Sequence, residues 1–240
     1  MNSRAALITG GSSGIGLAIA RALGEDGYGI TLSARRPEKL EEAAKGLADK
    51  GVEVNSVPAN VTEEDDIKRV VDSHRERFGR LDVLVNNAGI GIGAPVADTS
   101  TKKLDVQLDV NLRGVYITAR ECIPLLKAAG AEHGKALMLN TASIAGKHGQ
   151  GWLAAYSATK FGVVGLSQAL HKELSRDGVQ VTAICPGFVD TAMTDWVQGV
   201  EREDMIQPED IAEGVRFLLR TSRACIVPEI QFIRPGDDTL

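Results

Sequence analysis

A tyrosine and a lysine stand four residues apart in a stretch of helical composition. Tyr156 and Lys160 lie in the run AAYSATKFG, residues 154–162, and one helical turn places both side chains on the same face. The pair could simply decorate a surface. However, a free phenol has a pKa of about 10, too high for an efficient base near neutral pH, and a nearby ammonium favours the phenolate. The alternative to surface decoration is therefore that Lys160 changes the chemistry of the phenol.

A glycine-rich loop near the N-terminus is the second candidate for chemistry. The stretch TGGSSGIG, residues 9–16, follows the apolar run AALIT at 5–9 and opens a helix-like segment. Gly10, Gly14 and Gly16 permit a tight turn and a close approach of the backbone to a pyrophosphate at the helix N-terminus. Ordinary turns also use glycine and serine, but the strand–loop–helix context favours a dinucleotide site.

The end of the second apolar run indicates which dinucleotide binds. An acidic residue at this point of a dinucleotide-binding fold binds the ribose 2′-hydroxyl of NAD. Here the sequence reads SARRPEKL, with Arg35 and Arg36, and a guanidinium suits a 2′-phosphate. Two solvated arginines are the alternative, although positive charge is mildly unfavourable at a helix start. The arginines therefore favour NADP(H).

Short apolar runs alternate with longer amphipathic ones along the whole chain. The predicted strands are 5–9, 30–34, 52–59, 81–89, 135–143, 179–187 and 229–235, and the predicted helices are 14–27, 37–51, 62–79, 101–130, 154–178 and 208–221. Pro37 and Gly51 are suitable start and stop signals, and Thr62 is a predicted cap. Repeated βαβ units imply a parallel sheet covered on both faces. We expect an α/β protein: a single doubly wound, Rossmann-like domain over residues 1–240, with about seven strands.

Composition and charge disfavour several classes of function. The 240 residues carry a net charge of −5, and the 27 Lys and Arg are spread along the chain, which disfavours nucleic acid as a partner. No apolar run approaches the ~20 residues of a membrane span. Cys122, Cys185 and Cys225 have no metal-type spacing and indicate a reducing compartment. The first strand begins at once, leaving no room for a signal peptide. We expect a cytoplasmic protein without a metal or membrane partner.

Six motifs, taken in order, resemble those of the short-chain dehydrogenase/reductase family. They are TGGSSGIG, NNAG at 86–89, Asn111 in DVNLRG, Ser143 in NTASIAG, the Tyr156–Lys160 pair, and PGFVDT at 186–191. The resemblance spans about residues 5 to 233. It implies an oxidoreductase that moves a hydride between NADP(H) and a small-molecule carbonyl or alcohol. It also implies a homotetramer or homodimer.

The resemblance assigns roles to individual residues. It implies that Tyr156 is the acid/base, that Lys160 activates it and binds the nicotinamide ribose, and that Ser143 orients the substrate oxygen. Asn111 would hold a water in a proton relay to the lysine. The implied cofactor-binding residues are Gly10, Ser12, Ser13, Gly14, Ile15, Gly16, Arg35, Arg36, Asn60, Val61, Asn87, Ala88, Gly89, Tyr156, Lys160, Pro186, Gly187, Val189 and Thr191.

Two positions depart from the family pattern. Asn60 stands where aspartate is common at the adenine edge, although asparagine can still form a hydrogen bond there. Thr141 and Ala142 precede Ser143 where a second serine is common. Neither departure touches the predicted acid/base group.

Three alternative functions stay open. A non-catalytic NADP(H)-binding regulator would be expected to lack the tyrosine or lysine, and a sugar-nucleotide epimerase generally has a larger C-terminal region than residues 192–240. A reductase of carrier-bound 3-oxoacyl chains needs a basic entrance, because carrier proteins are acidic. The expected lid, residues 190–204, instead has five acidic residues and one basic: Asp190, Asp195, Glu201, Glu203 and Asp204 against Arg202.

The loops around the predicted pocket suggest an apolar substrate. Met193 and Trp196 lie in the expected lid, and His148 and Trp152 lie between Ser143 and Tyr156, where they could edge the pocket. We expect a free small or medium carbonyl compound. Arg113, Arg120 and Arg176 would weaken the argument against a carrier protein if they faced the entrance.

Overall fold

Seven parallel strands form one sheet in the computed structural model, which describes residues 4–197 and 199–236. The strands are β1 (Ala5–Thr9), β2 (Gly29–Ala34), β3 (Val54–Pro58), β4 (Val83–Asn86), β5 (Ala136–Thr141), β6 (Val179–Pro186) and β7 (Glu229–Phe232). Their order across the sheet is β3-β2-β1-β4-β5-β6-β7. The order reverses between β1 and β4, and such a switch point opens a crevice at the carboxyl ends of the strands. The predicted parallel sheet is confirmed.

Within the described residues, seven α-helices cover the two faces of this sheet. They are α1 (Gly14–Glu25), α2 (Pro37–Ala48), α3 (Glu64–Phe78), α4 (Thr101–Leu108), α5 (Gly114–His133), α6 (Ala154–Leu174) and α7 (Pro208–Arg220). Side chains alternate along each strand, so Ile8 and Val85 pack with α1, α2 and α7, whereas Leu7 and Leu84 pack with α3, α5 and α6. Both faces are therefore apolar cores, and the doubly wound α/β fold is confirmed.

Two local predictions were wrong. The single helix predicted over 101–130 is interrupted by a π-helical turn at Asp109–Arg113, between α4 and α5. Gly114 follows this turn and packs so closely on Val61 that a Cβ would lie 2.8 Å from the Val61 carbonyl oxygen. The residue before α3 is Glu63, and Thr62 does not cap the helix. Its hydroxyl instead donates to the Glu63 carboxylate at 3.0 Å.

None of the α-helices within residues 4–197 and 199–236 combines the length and apolarity needed to cross a bilayer.

A buried histidine links α3 to the sheet. His74 is fully buried; its Nδ1 lies 2.7 Å from Thr31 Oγ1 and its Nε2 lies 2.8 Å from the Arg80 carbonyl oxygen. Because a carbonyl oxygen only accepts, Nε2 carries the proton and Nδ1 accepts from the Thr31 hydroxyl. Burial is the main cause that lowers the pKa of His74 from 6.5 to about 4. The neutral ring therefore stabilises the fold.

We predict that His74 makes the protein less stable as the pH falls from 6.5 toward 4. Its folded-state pKa lies below its unfolded value, so the unfolded chain binds more protons in this window and the stability present above pH 6.5 is lost, by about 3 kcal/mol in all. Urea unfolding at several pH values measures this loss. His74→Gln, which cannot titrate, should be less stable at neutral pH but should decline more gently. Equal slopes for the two proteins would contradict the prediction.

Candidate active site

A cleft of about 590 Å³ opens at the carboxyl edge of the sheet. It is lined by the loops that follow β1 to β6, and it brings together nearly all of the predicted site residues. The exceptions are Gly16 and Asn111, which lie behind its wall. A larger depression of about 850 Å³ lies near Gly178 and Gln180, at the opposite edge of the sheet, and contains no predicted site residue. Ligands of open α/β sheets bind at the carboxyl edge, so the smaller cleft is the candidate active site.

The glycine loop is held by contacts that no larger residue would allow. Gly10 has φ +65° and Gly14 has φ +52°, and a Cβ at Gly10 would lie 2.9 Å from Ala88 Cα. A Cβ at Gly16 would lie only 2.5 Å from the Gly10 carbonyl oxygen. Gly16 therefore packs α1 against the loop and does not face the cleft.

The N-terminus of α1 is suited to an anion. Ser13 precedes the helix but its side chain forms no capping hydrogen bond, and Gly14 and Ile15 line the cleft. The first N–H groups of a helix have no partner within the helix and carry partial positive charge. Together with the space left by the glycines, this donor set fits a dinucleotide pyrophosphate.

Two exposed arginines line the cleft at the end of β2. Arg35 and Arg36 follow β2 and line the cleft, and neither forms an ion pair with any residue in the described part of the chain. Asn60, after β3, donates its backbone N–H to Asp66 at 2.8 Å and accepts from the Thr62 N–H at 3.3 Å. The side-chain oxygen of Asn60 is therefore already hydrogen-bonded to a neighbouring residue. The guanidinium groups of Arg35 and Arg36, in contrast, are available to a phosphate.

Helix α6 places the predicted acid/base pair on one face. The Lys160 Nζ lies 5.5 Å from the centroid of the Tyr156 ring. Lys160 is buried, and its Nζ donates to the Thr141 carbonyl oxygen at 2.7 Å. Ser143 stands after β5, where its hydroxyl accepts from the Ala145 N–H at 3.1 Å. Ser143 follows the carboxyl end of β5, whereas Tyr156 and Lys160 lie in the first two turns of α6. The three side chains meet in one cleft.

The expected effect of Lys160 on the phenol is not what this structure shows. Desolvation raises the pKa of Tyr156, and the neighbouring Ser143 hydroxyl acts in the opposite direction. Burial also lowers the pKa of Lys160 to about 8. The prediction that the ammonium lowers the phenol pKa is corrected for this state: the ammonium is bonded to the Thr141 carbonyl, and removal of both groups from water dominates. Tyr156 therefore holds its proton at neutral pH.

Asn111 supports the site from behind. It is fully buried in the π-helical turn; its Oδ1 accepts from the Ile90 N–H and its Nδ2 donates to the Ile90 carbonyl oxygen, both at 2.8 Å. The side chain thereby fixes the loop after β4, where a Cβ at Gly89 would lie 3.6 Å from Lys160 Nζ. π-Helical turns are frequent at functional sites. A water held by Asn111 stays a prediction.

The mouth of the cleft includes residues that the sequence had only partly indicated. Met193 and Trp196 line the cleft, and Trp152 packs against Trp196, while His148 is exposed and does not line the cleft. Sequence reasoning missed Gly91, where a Cβ would lie 3.9 Å from the Tyr156 ring. The glycines of IGIG, directly after NNAG, were the available signal, since repeated glycines often mark close approach of another group.

No cluster of three or more potential metal ligands occurs within residues 4–197 and 199–236.

Comparison with known proteins identifies the family. A family model described as short chain dehydrogenase matches residues 4–200. The chain is 36% identical over 235 residues to an uncharacterized oxidoreductase of Staphylococcus aureus (strain MRSA252), with 98% of each chain covered. This protein therefore belongs to the short-chain dehydrogenase/reductase family and is an oxidoreductase of that family.

Two solved structures resemble the whole chain. One is an alcohol dehydrogenase from the archaeon Thermococcus sibiricus complexed with 5-hydroxy-NADP, with a TM-score of 0.88, 34% identity and 97% of each chain covered. The other is a 3-ketoacyl-(acyl-carrier-protein) reductase from Brucella melitensis complexed with NADH, with a TM-score of 0.88, 30% identity and 97% of each chain covered. These relatives thus differ in both cofactor and substrate.

Proposed function

We propose that the protein is an NADP(H)-dependent oxidoreductase that interconverts a carbonyl compound and its alcohol, with Tyr156 as the acid/base. The convergence of Ser143, Tyr156 and Lys160 on the cleft that also holds the glycine cradle carries this proposal. When bound, the nicotinamide cofactor supplies or accepts the hydride. The residues of this chain bind it, orient the substrate and move the proton.

A neutral Tyr156 is suited to act as the acid in carbonyl reduction. Desolvation raises the pKa of its hydroxyl, so at neutral pH the group can donate a proton to the substrate oxygen as the carbonyl carbon receives the hydride. The carbonyl π electrons become the new O–H bond, and a phenolate remains. Alcohol oxidation reverses each of these transfers, so the phenolate then accepts the proton.

Ser143 and Lys160 position the reacting groups. The Ser143 hydroxyl donates only weakly to the Pro186 carbonyl oxygen, at 3.4 Å, so its hydrogen can turn toward the substrate oxygen. The Lys160 ammonium uses one donor on the Thr141 carbonyl oxygen and has two more. In the family that this chain belongs to, such a lysine binds the nicotinamide ribose, and we assign Lys160 the same role.

Tyr156→Phe should reduce turnover about a hundredfold or more while NADPH binding stays nearly unchanged, because only the proton donor is removed. Lys160→Ala should impair both, because the lysine serves the cofactor as well as the phenol. Steady-state NADPH oxidation with a good carbonyl substrate and NADPH fluorescence titration measure the two effects. Tyr116→Phe, on an exposed tyrosine of α5, is the control. If Tyr156→Phe keeps more than a few per cent of activity, another acid does the work.

Measurement of NADPH oxidation also distinguishes an enzyme from a non-catalytic NADP(H)-binding regulator. A screen of NADPH oxidation over ketones, 3-oxo esters, quinones, steroids and sugars should reveal at least one substrate. Binding of NADPH without turnover of any of these compounds would favour the non-catalytic alternative.

The cleft supports NADP(H) as the preferred cofactor. Arg35 and Arg36 are exposed beside the cleft, and Arg36 directly precedes α2. An unpaired cation at a helix start is mildly unfavourable in the free protein but forms charge-assisted hydrogen bonds with a 2′-phosphate. The family includes proteins crystallised with NADP-type and NAD-type cofactors, so the local charge decides the assignment.

Arg35→Asp should lower the ratio of kcat/KM with NADPH to that with NADH about tenfold or more, because the charge-assisted bond is replaced by repulsion. Arg21→Asp makes the same change of charge on the exposed surface of α1 and should leave the ratio unchanged. Equal kcat/KM for both cofactors in the unmodified enzyme would refute the preference.

The charge at the entrance supports a free substrate over a carrier-bound one. Arg202, the single basic residue of the lid, is paired with Asp190 and with Asp195, the latter at 2.5 Å. Glu201, Glu203 and Asp204 remain exposed. An acidic carrier protein would therefore meet like charge.

The three arginines that could have offset this charge are used elsewhere. Arg120 pairs with Glu64 and Glu121 at 2.8 and 2.7 Å, and Arg113 donates to the Thr62 carbonyl oxygen at 2.7 Å. Arg176 lies in the turn before β6, at the edge of the sheet opposite the cleft. None of the three faces the lid.

A 3-oxoacyl chain on its carrier protein should therefore have a lower kcat/KM at low salt than the same chain as a simple ester. Replacing Glu201 and Glu203 by lysine should raise kcat/KM for the carrier-bound form and leave the ester unchanged, because electrostatic attraction acts on association with the carrier. A clear preference of the unmodified enzyme for the carrier-bound form would move the assignment to fatty-acid or polyketide reduction.

We also propose a homo-oligomer, either a homotetramer or a homodimer, in the cytoplasm. Exposed aromatic side chains on α5 and α6, Tyr116 and Phe161, support an interface on the helices where subunits of this family commonly meet. The three free cysteines fit a reducing compartment.

A further inference from the structure

The two tryptophans of the sequence contact each other at the mouth of the cleft. Trp152 precedes α6 and Trp196 follows β6; their ring centroids lie 4.8 Å apart with an interplanar angle of 88°. The Phe188 ring lies 6.0 Å from Trp196, again edge to face. Each tryptophan is 49% exposed. These three residues, which we call the aromatic rim, therefore keep apolar ring surface open to solvent.

Trp152 is held in a conformation that a bulky residue rarely adopts. Its φ is +55°, and it is the one residue other than glycine with a positive φ in the described part of the chain. Its carbonyl oxygen accepts from the Ala94 N–H at 2.7 Å. Its ring lies against Gly93, where a Cβ would come within 1.8 Å of it. Strain of this kind persists where surrounding structure enforces it, often at ligand sites.

The aromatic rim reaches the cleft of the predicted acid/base group through one of its members. Trp196 lines the same cleft as Tyr156. The segment with Gly91 and Gly93 connects the two regions: Gly91 approaches the Tyr156 ring and Gly93 approaches the Trp152 ring. Neither glycine places a side chain against the ring that it faces, and Gly93 in particular leaves room for the Trp152 ring.

We propose that the aromatic rim binds the body of the substrate and selects a neutral carbonyl or alcohol compound with an aromatic ring attached to the reacting carbon. This inference rests on the proposed function. An aromatic ring can pair edge to face with Trp152 and Trp196, whereas a saturated ring of similar size gains only buried area. A charged substrate is not favoured, because Arg202 at the entrance is already paired with Asp190 and Asp195.

Binding of two matched ketones tests this proposal without turnover. Acetophenone and cyclohexyl methyl ketone are titrated by calorimetry into the protein saturated with NADP⁺, which cannot give a hydride to either. Quenching of intrinsic fluorescence provides a second readout, because Trp152 and Trp196 are the two tryptophans of the chain. We expect acetophenone to bind more tightly and to quench more strongly.

Variants of the rim identify the residues responsible. Trp196→Leu and Trp152→Leu should weaken the binding of acetophenone about tenfold and that of cyclohexyl methyl ketone less than about threefold. Trp196→Phe should retain part of the difference in affinity between the two ketones. Phe217→Leu removes an aromatic ring of similar exposure from α7 and should change neither. Circular dichroism confirms that each variant folds.

Several outcomes would overturn the proposal. The first is equal affinity of the unmodified protein for the two ketones, and the second is failure to bind either ketone. The third is an equal loss of affinity for both ketones in the Trp152→Leu and Trp196→Leu variants. A parallel NADPH-oxidation assay separates this proposal from the proposed function. Tighter binding of acetophenone without oxidation of NADPH would support the aromatic rim as a binding site and count against a reductase. Oxidation of NADPH with equal binding of the two ketones would support a reductase and count against the role of the aromatic rim.

Discussion

The close approach of two backbone loops, after β1 and after β4, is the constraint on which the rest of the site depends. Gly10 brings the first loop against Ala88, at a distance that leaves no room for a Cβ. The Thr9 hydroxyl accepts from the N–H groups of Asn87 and Ala88 at 3.1 and 3.2 Å. The strand order reverses at this junction. The cradle at the start of α1 and the loop beside Lys160 are thus parts of one locked unit.

The second determinant of the site is burial of its ionisable groups. Tyr156 and Lys160 share one helical face, but the ammonium spends a hydrogen bond on the Thr141 carbonyl. Removal from water favours the neutral form of each side chain, so it raises the pKa of Tyr156 and lowers the pKa of Lys160. A protonated phenol beside a Ser143 hydroxyl is an arrangement ready to donate a proton.

The two sides of the cleft differ in how they are built. On the proposed cofactor side, Asn111 and the π-helical turn fix the backbone by buried hydrogen bonds. On the proposed substrate side, the rings of Trp152, Phe188 and Trp196 are partly exposed and contact one another. The proposed substrate side is thus built from loop residues, and specificity in enzymes commonly resides in loops carried by a scaffold.

The sequence by itself determined the fold class and most of the site. Alternating apolar and amphipathic runs predicted all seven strands, because the period of the pattern follows directly from strand and helix geometry. The structure places the glycine loop of residues 9–16 at the cleft and Tyr156 and Lys160 on one helical face. The sequence could predict both placements because each depends on the backbone within one turn or loop. The sequence indicated Gly16 and Asn111 as site residues, but it did not predict that they lie behind the wall of the cleft.

Only the tertiary structure decided the features that depend on distant contacts. The π-helical turn inside 101–130 arises where Gly114 packs on Val61 and Asn111 binds Ile90, and an apolar pattern cannot distinguish it from continuous α-helix. The direction of the Tyr156 pKa follows from burial by separate elements, and the contact between Trp152 and Trp196 joins two loops that are remote in sequence. Patterns record local periodicity, whereas desolvation and ring packing arise only when the folded chain brings its segments together.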